Sequence, residues 1–246
     1  MATGEHFQIF ASGESNKGPK RDHNEDAFFL DSNSKTYMVC DGVGGSYGGE
    51  VASRLACQYF EDYINSHQIE DKSSFAVKDF LRTGLLLASK QVYLKSLETP
   101  NLKGMGTTAS VVKISDDQAY CAFVGDSRIY LCRQGFLYQI SKDHNVLIEQ
   151  KDSDLNKKQE TMPLSSGILS RYIGHKIKER VDTTEFKIEK DDIILICSDG
   201  LYNYVEIEKI RQILFETKDK GSRFLVQQAI HDLSQDNITA LTVHIS

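Results

Sequence analysis

Short apolar runs separated by polar stretches are the feature that most constrains the fold of this 246-residue chain. Runs of four to six residues, several rich in β-branched or aromatic side chains, are too short for typical helices and favour buried strands. They are Ala27–Leu30, Tyr37–Cys40, Ala109–Ile114, Ala119–Val124, Ile129–Cys132 and Ile193–Cys197, and a last strand is predicted over Ile238–Ile245. The core is therefore predicted to be rich in β-sheet.

Three longer stretches have the spacing of amphipathic helices. Apolar residues recur on one helical face from Val51 to Tyr63, from about Phe75 to Leu97, and from Arg223 to Leu233. The predicted order is strands, two helices, several successive strands, one helix and a final strand. Because a parallel sheet would alternate strand and helix regularly, this order favours an α+β fold in which antiparallel sheets are flanked by helices.

The chain is expected to form a single domain over residues 1–246, because no repeat, low-complexity tract or proline-rich linker interrupts it. The segment Lys151–Met162 breaks the pattern: six of its twelve residues are charged, two are apolar, and Pro163 follows. We predict an exposed, mobile insertion there.

Composition excludes several classes of protein. Hydrophobic residues make up 40% and charged residues 26%, as in ordinary soluble domains, and the net charge of −6 disfavours nucleic acid or an anionic membrane as the main partner. No apolar stretch approaches the roughly 20 residues that span a bilayer, and Met1 to Phe10 lacks the features of a signal peptide. The five cysteines lack CxxC spacing, so a reduced, cytoplasmic protein is expected.

Asp41 is the first residue with a pattern typical of a site. It follows the apolar run Tyr37–Cys40 and precedes a loop with glycines at positions 42, 44, 45, 48 and 49, which leads into a predicted helix. An isolated Asp-Gly pair usually marks a tight turn between two strands. Here no second strand follows, and so many glycines indicate a close approach of the backbone to a ligand.

Further acidic residues flank predicted strands and could converge on one pocket. They are Glu25, Asp26, Asp126, Asp199 and Asp236. Two ionised carboxylates about 4 Å apart repel each other by about 4 kcal/mol at an effective dielectric constant near 20, and a bound cation removes that conflict. Oxygen ligands select hard ions such as Mg²⁺ or Mn²⁺, whereas zinc usually recruits His or Cys.

An ordered set of short motifs resembles the type 2C, metal-dependent protein phosphatase family, in its bacterial-like branch. The set covers nearly the whole chain: Arg21-x-x-Asn-Glu-Asp26, Asp41-Gly-Val-Gly-Gly45, Gly106-Thr-Thr108, Gly125-Asp-Ser-Arg128, Asp143-His144, Leu169-Ser-Arg-Tyr-Ile-Gly174, Ser198-Asp-Gly-Leu201 and Asp236-Asn-Ile-Thr239. Each motif is weak alone, but their order is specific.

The resemblance implies a fold and a set of roles. It implies a central β-sandwich of two antiparallel sheets with helices on both outer faces, and two Mn²⁺ or Mg²⁺ ions. Asp41 would bridge both ions, the Gly42 carbonyl would bind the second, and Asp199 and Asp236 would bind the first. Asp126, with Asp199, matches the positions that bind a third ion.

The resemblance also implies roles for three residues that precede Asp41 in the sequence. Glu25 and Asp26 would hold metal-bound waters, and Arg21 would bind phosphate, since a guanidinium grips two phosphate oxygens. The implied reaction is direct attack by a metal-bridging hydroxide on phosphoserine or phosphothreonine. Where some relatives carry a candidate general acid, His, this chain has Val43, so the general acid is not assigned.

Other matched residues are interpreted as structural. Thr107 and Thr108 are expected to support a strand start, Ser127 and Arg128 to form a turn or a buried pair beside Asp126, His144 to be a buried structural histidine, and Cys197 to pack in the core. The segment near 145–168 corresponds to the family's flap and is short.

Two other functions remain as alternatives: a catalytically silent domain that binds phosphoproteins, and a two-metal nuclease or small-phosphoester hydrolase. The complete carboxylate set weighs against the first, and the acidic balance and the ordered motifs weigh against the second. The expected partners are phosphoprotein substrates and an opposing serine/threonine kinase, with no nucleic acid and no membrane, and the chain is expected to be a monomer.

Overall fold

A computed structural model describes residues 7–43, 48–146, 168–174 and 180–246. In chain order its strands and helices are β1 (Ile9–Asn16), β2 (Asp26–Asp31), β3 (Thr36–Val43), α1 (Gly48–Ser66), α2 (Ser74–Glu98), β4 (Gly106–Thr107), β5 (Ala109–Ser115), β6 (Gln118–Val124), β7 (Arg128–Arg133), β8 (Phe136–Gln139), β9 (Asn145–Val146), β10 (Ile168–Leu169), β11 (Asp182–Lys187), β12 (Ile193–Cys197), α3 (Asp199–Tyr202), α4 (Ile207–Thr217), α5 (Gly221–His231) and β13 (Ile238–Ile245).

Most of the strands form two antiparallel sheets. The first has the order β1-β13-β12-β7-β8, and the second has the order β11-β6-β5-β3-β2, with β4 paired to the end of β3. The two short strands β9 and β10 pair separately.

Alternating side chains of the central strands explain why the sheets stack. On β3, Tyr37 and Val39 join an apolar cluster that also contains Ile194 and Ile196 of β12, so this cluster fills the space between the sheets. Burying each such aliphatic side chain contributes about 1.5–3 kcal/mol. This layer holds the two sheets face to face.

The opposite faces of the same strands pack against helices. Met38 and Cys40 of β3 contact the cluster formed with α1 and α2, whereas Leu195 and Cys197 of β12 contact the cluster formed with α3, α4 and α5. Helix α2 begins after Ser73, whose Oγ accepts a hydrogen bond from the Ala76 amide over 3.3 Å. The predicted sandwich with helices on both faces is thus confirmed.

The predicted elements are all present, but the prediction lacked several others. The edge strands β1, β8 and β11 were not predicted, and neither were α3 and α4. These three strands lie at sheet edges and are partly exposed, and β11, for example, lacks a continuous apolar run, since it reads Asp-Thr-Thr-Glu-Phe-Lys. The predicted helix before the final strand is confirmed as α5, but the predicted order lacked α3 and α4, which precede it.

The predicted insertion Lys151–Met162 lies outside the described residues, as does most of the flap-like segment 145–168. At the ends of that segment, Ile168 and Leu169 pair with Val146 and Asn145. Within the described part of the chain, no helix is both long and apolar enough to cross a membrane.

Candidate metal centre

The candidate acidic residues gather at one end of the sandwich. Asp26 begins β2 and lies directly across from Asp41, near the end of β3. In the other sheet, Asp199 follows β12 and Asp236 precedes β13, and these two strands are antiparallel neighbours, so the two residues share the same edge. Asp126 lies in the connection between β6 and β7, and completes this acidic end.

The backbone of Asp41 is fixed by two threonines that precede β5. The Asp41 amide donates to Thr108 Oγ1 over 2.9 Å, and the Asp41 carbonyl accepts from the Thr108 amide over 2.8 Å and from Thr107 Oγ1 over 2.9 Å. Thr107 and Thr108 are fully buried. The two threonines were predicted to support a strand start, and they also hold the backbone of Asp41 in place.

Gly42 is required by packing. A Cβ at this position would lie 2.2 Å from the Gly49 carbonyl oxygen and 2.6 Å from that of Glu25, and the Gly42 amide donates to Glu25 over 3.1 Å. The start of α1 and the end of the loop before β2 thus both press against this residue. A side chain here would push Glu25 and helix α1 away from Asp41.

Asp26 connects the two sheets. Ser198, immediately before Asp199, donates from Oγ to Asp26 Oδ2 over 2.7 Å, whereas the buried Asp26 Oδ1 has no hydrogen-bond partner among the described atoms. Burial is the main cause that raises the pKa of Asp26 to about 6, and the charge of Asp236 adds to it. An unsatisfied buried carboxylate oxygen is costly, and it fits a water or cation.

Asp199 is the first residue of the short helix α3. Burial raises its pKa to about 7, and the charges of Asp236, Asp126 and Asp26 contribute further. The next residue, Gly200, has no room for a side chain, because a Cβ there would lie 1.9 Å from the Asn237 carbonyl oxygen. Asp199 and Asp236 are thus held together by direct backbone contact between their neighbours.

Asp236 is held from two sides. Its Oδ1 accepts from the Asn237 amide over 2.7 Å, and its Oδ2 accepts from Nη2 of Arg21 over 2.7 Å. The Arg21 side chain is 46% exposed and that of Asp236 29%. The residue expected to bind phosphate therefore lies beside a residue expected to bind metal. Glu25 lies immediately before β2, and burial is the main cause that raises its pKa.

Asp126 is held through its backbone by a residue that sequence analysis missed. The Tyr202 hydroxyl donates to the Asp126 carbonyl over 3.0 Å, and the Arg128 guanidinium carbon lies 3.7 Å from the centre of the Tyr202 ring. Arg128 also forms a forked ion pair with Asp143, with a shortest distance of 2.8 Å. This pair is only partly buried, with side-chain exposures of 23% for Arg128 and 15% for Asp143. Burial, followed by the Asp143 charge, raises the pKa of Asp126 to about 6.

A hydroxyl pair links the Asp126 loop to Asp41. Ser127 Oγ lies 2.6 Å from Thr108 Oγ1, the group that accepts the Asp41 amide, and Ser110 donates to the Ser127 carbonyl over 2.6 Å. All three hydroxyl residues are buried. No local pattern in the sequence announces this link, because it joins residues from three separate segments.

The charges at this end of the sandwich are in conflict. Burial raises the pKa of Asp41 well above its ordinary value, and the charges of Asp26, Asp199, Asp126 and Asp236 raise it further. Within the described residues, no three Asp, Glu, His or Cys side chains are gathered closely enough to surround one ion as they stand. Ser198 and Arg21 hold two of the carboxylates instead. Even so, these carboxylates repel one another, and Asp26 Oδ1 has no partner among the described atoms. Both features fit a site for hard divalent cations, which prefer oxygen ligands.

His144 and the cysteines are structural. The buried His144 accepts the Gly125 amide at Nδ1 over 3.2 Å, its Nε2 lies 3.2 Å from Asp182, and burial is the main cause that lowers its pKa. All five cysteines are free and buried. Burial raises the pKa of the Cys197 thiol, which makes this residue a poor nucleophile.

Comparison with known proteins finds similarity along nearly the whole chain. The profile of the family described as protein phosphatase 2C matches residues 16–236. The serine/threonine phosphatase stp of Listeria welshimeri is 31% identical over 249 residues, which cover 96% of this chain and 95% of that protein.

Solved structures show the same architecture. A bacterial serine phosphatase has a TM-score of 0.84 at 27% identity, and the match covers 97% of this chain and 98% of that one. The catalytic domain of the serine threonine protein phosphatase PstP, in complex with two manganese ions, has a TM-score of 0.78 at 25% identity, over 98% of this chain and 99% of that one.

Proposed function

The chain belongs to the protein phosphatase 2C family, and from that membership we propose that it hydrolyses phosphoserine and phosphothreonine in phosphoproteins with the help of Mn²⁺ or Mg²⁺. One observation carries the proposal: five aspartates from both sheets meet at one end of the sandwich, where burial and mutual repulsion raise the pKa of Asp41. Such a cluster stays ionised near neutral pH only with compensating positive charge.

The proposed ligands are divided between two ions. Asp41 would lie between them, with Asp199 and Asp236 on one side and the Gly42 carbonyl on the other. Two manganese ions accompany the similar catalytic domain of PstP. Asp126, whose pKa is raised by burial to about 6, is proposed for a third ion together with Asp199.

Bound ions would neutralise negative charge on the phosphoryl oxygens and would lower the pKa of a coordinated water. The residues of the chain supply the rest. Asp26, with its unpartnered Oδ1, and Glu25 would orient water, and Arg21 would bind phosphate oxygens. The proposed reaction needs no covalent enzyme intermediate, since water would attack phosphorus directly. Val43 leaves the proton donor to the leaving oxygen unassigned.

The decisive experiment is release of phosphate from a phosphothreonine peptide by chelator-treated protein, with and without added Mn²⁺. We expect turnover only with the metal, and loss of nearly all turnover in Asp199→Asn. The control variant Asp192→Asn changes a buried aspartate that pairs with Arg133 at the far end of β12. Full activity in excess EDTA, or in Asp199→Asn, would refute the proposal.

The same experiment separates the alternatives. Tight binding of the phosphopeptide without turnover at any Mn²⁺ concentration would indicate a silent binding domain. Faster hydrolysis of a nucleic acid or of a small phosphoester would indicate the other two-metal hydrolases. We further propose that the chain acts in the cytoplasm as a monomer, opposite a serine/threonine kinase. Its acidic balance disfavours nucleic acid and anionic membranes as partners.

A further inference from the structure

The loop between β1 and β2 is fastened by one buried side chain. Asn237, 4% exposed, donates from Nδ2 to the carbonyls of Lys17 over 2.8 Å and His23 over 2.9 Å, and its Oδ1 accepts from the Glu25 amide over 2.9 Å. Both amide hydrogens and the amide oxygen are therefore used. The three contacts bracket Arg21 on both sides.

A second contact presses the same loop onto the same segment. Gly18 has a φ of +70°, and a Cβ there would lie 2.1 Å from the Asp236 carbonyl oxygen. The loop therefore lies directly on the backbone of Asp236 and Asn237. Its conformation is defined by the segment that also carries a proposed metal ligand.

Arg21 needs such a support, because its own side chain is nearly half exposed. Within the described part of the chain, its side chain hydrogen-bonds to Asp236, and both groups are partly exposed; exposed ion pairs hold long side chains weakly. The placement of its guanidinium must then come mainly from the backbone beneath it. That backbone is fixed at Lys17, His23 and Glu25 by Asn237.

We propose that Asn237 is a positioning residue for phosphate binding: it fixes the loop that carries Arg21 against Asp236. This inference rests on the proposed function. It predicts that Asn237 acts on substrate through Arg21, whereas a residue that only stabilises the fold would act on all properties of the enzyme alike.

The test is a double-mutant cycle of Asn237→Ala, Arg21→Ala and both together, with Asp192→Asn as a control for lost stability. We expect Asn237→Ala to weaken competitive inhibition by inorganic phosphate, and to lower kcat/KM on a phosphothreonine peptide, by about ten- to a hundredfold, mostly through KM. In the Arg21→Ala background, the same substitution should change either quantity less than threefold.

Two readouts do not depend on turnover. In metal-free protein, the Glu25 amide should exchange with deuterium faster in Asn237→Ala than in wild type and in Asp192→Asn. The affinity for Mn²⁺, measured by calorimetry, should change less than threefold, because Asp236 keeps its backbone hydrogen bond from residue 237.

Additive losses in the cycle, or an unchanged phosphate inhibition constant in a folded Asn237→Ala protein, would overturn the positioning role while leaving the proposed phosphatase activity intact. An inactive wild-type protein would instead overturn the proposed function. If Asn237→Ala does not fold, Asn237→Ser, which keeps a small polar side chain but cannot span both carbonyls, takes its place with the same expectations.

Discussion

Arg21 donates to Asp236 over 2.7 Å, so the proposed phosphate ligand neutralises a proposed metal ligand. Both side chains are partly exposed, and exposed pairs contribute only about 0–1 kcal/mol. The pair can therefore open when a cation binds the carboxylate and a phosphate binds the guanidinium. If Asp236 binds a metal ion as proposed, Arg21 would compete with that ion for the carboxylate in the absence of substrate.

We predict opposite effects of Arg21→Ala on the two ligands. Mn²⁺ should bind more tightly in phosphate-free buffer, because Asp236 loses its cationic neighbour, while KM for a phosphopeptide should rise about tenfold with the loss of a charge-assisted bond. Arg21→Lys keeps the charge without the fork and should fall between. Calorimetric titration with Mn²⁺ and steady-state kinetics measure the two effects, and weaker Mn²⁺ binding in Arg21→Ala would contradict the competition.

The raised pKa values predict an unusual pH dependence for metal-free protein. Asp199 has a pKa of about 7 and Asp126 and Asp26 of about 6, all above the ordinary value of 3.8. A group with a raised folded-state pKa adds stability that is complete below its unfolded pKa and is lost as the pH rises through the folded one. Stability should thus decline between about pH 4 and pH 7 in a chelator.

Thermal unfolding at pH 5 and pH 8 checks this, with Asp199→Asn as the matched variant. His144, whose pKa is lowered, acts in the opposite direction between these pH values but is the same in both proteins. In EDTA, Asp199→Asn should therefore unfold at a higher temperature than wild type at pH 8, and the difference should be smaller at pH 5. Saturating Mn²⁺ should reverse the order at pH 8. A wild-type protein that gains stability from pH 5 to pH 8 relative to Asp199→Asn in EDTA is the contrary result.

The Thr108 hydroxyl predicts a coupled loss of stability and metal affinity. Thr108→Val conserves shape but leaves the buried Asp41 amide without its acceptor, at a cost of about 1–3 kcal/mol. Thr242→Val is the matched control: that buried hydroxyl lies 3.0 Å from Ser12 Oγ, away from the acidic end. Both variants should unfold more easily in urea, but only Thr108→Val should need more Mn²⁺ for half-maximal activity. Equal Mn²⁺ requirements would show that Thr108 does not position Asp41.

Much of the sandwich follows from local pattern, while the support of the site does not. The central strands are apolar on both faces, so β3 and β12 stand out in the sequence, and an acid within two residues of the end of such an apolar run marks Asp41 and Asp199. Tyr202 and Asn237 carry no such mark. Their partners, the Asp126 carbonyl and the Lys17 carbonyl, are distant in sequence, and a backbone acceptor has no residue type to recognise. Helix α4 was missed although Ile210, Ile213 and Leu214 form its buried face.

Tyr202 gives a test of the Asp126 loop. Tyr202→Phe removes the hydrogen bond to the Asp126 carbonyl, worth about 1 kcal/mol, and keeps the ring under Arg128. Activity should then require a higher Mn²⁺ concentration to fill the weakest site, which we expect to be the proposed third site at Asp126. The affinities of the tighter Mn²⁺ sites should stay unchanged. Tyr130→Phe is the control, because its hydroxyl accepts from Arg128 over 3.0 Å but does not contact residue 126. The two variants should differ in a Mn²⁺ titration of activity, and identical curves would remove Tyr202 from the support of this loop.

Gly200 tests whether the spacing of Asp199 and Asp236 is set by backbone contact. In Gly200→Ala, the new Cβ would lie 1.9 Å from the Asn237 carbonyl oxygen and 3.3 Å from Asp236 Cβ, so α3 must move away from the start of β13. Gly221→Ala is the matched control: its Cβ would meet no atom closer than 3.3 Å, and alanine suits the first turn of α5 better by up to about 1 kcal/mol. We expect Gly200→Ala to lower the unfolding temperature. We also expect it to weaken Mn²⁺ binding at least tenfold, which corresponds to a loss of about 1.4 kcal/mol of binding free energy when the two carboxylates move apart. Gly221→Ala should keep the Mn²⁺ affinity of wild type. Because a shift of α3 separates Asp199 from Asp236 without changing either carboxylate, normal Mn²⁺ affinity in a folded Gly200→Ala protein would mean that these two residues do not bind the same ion.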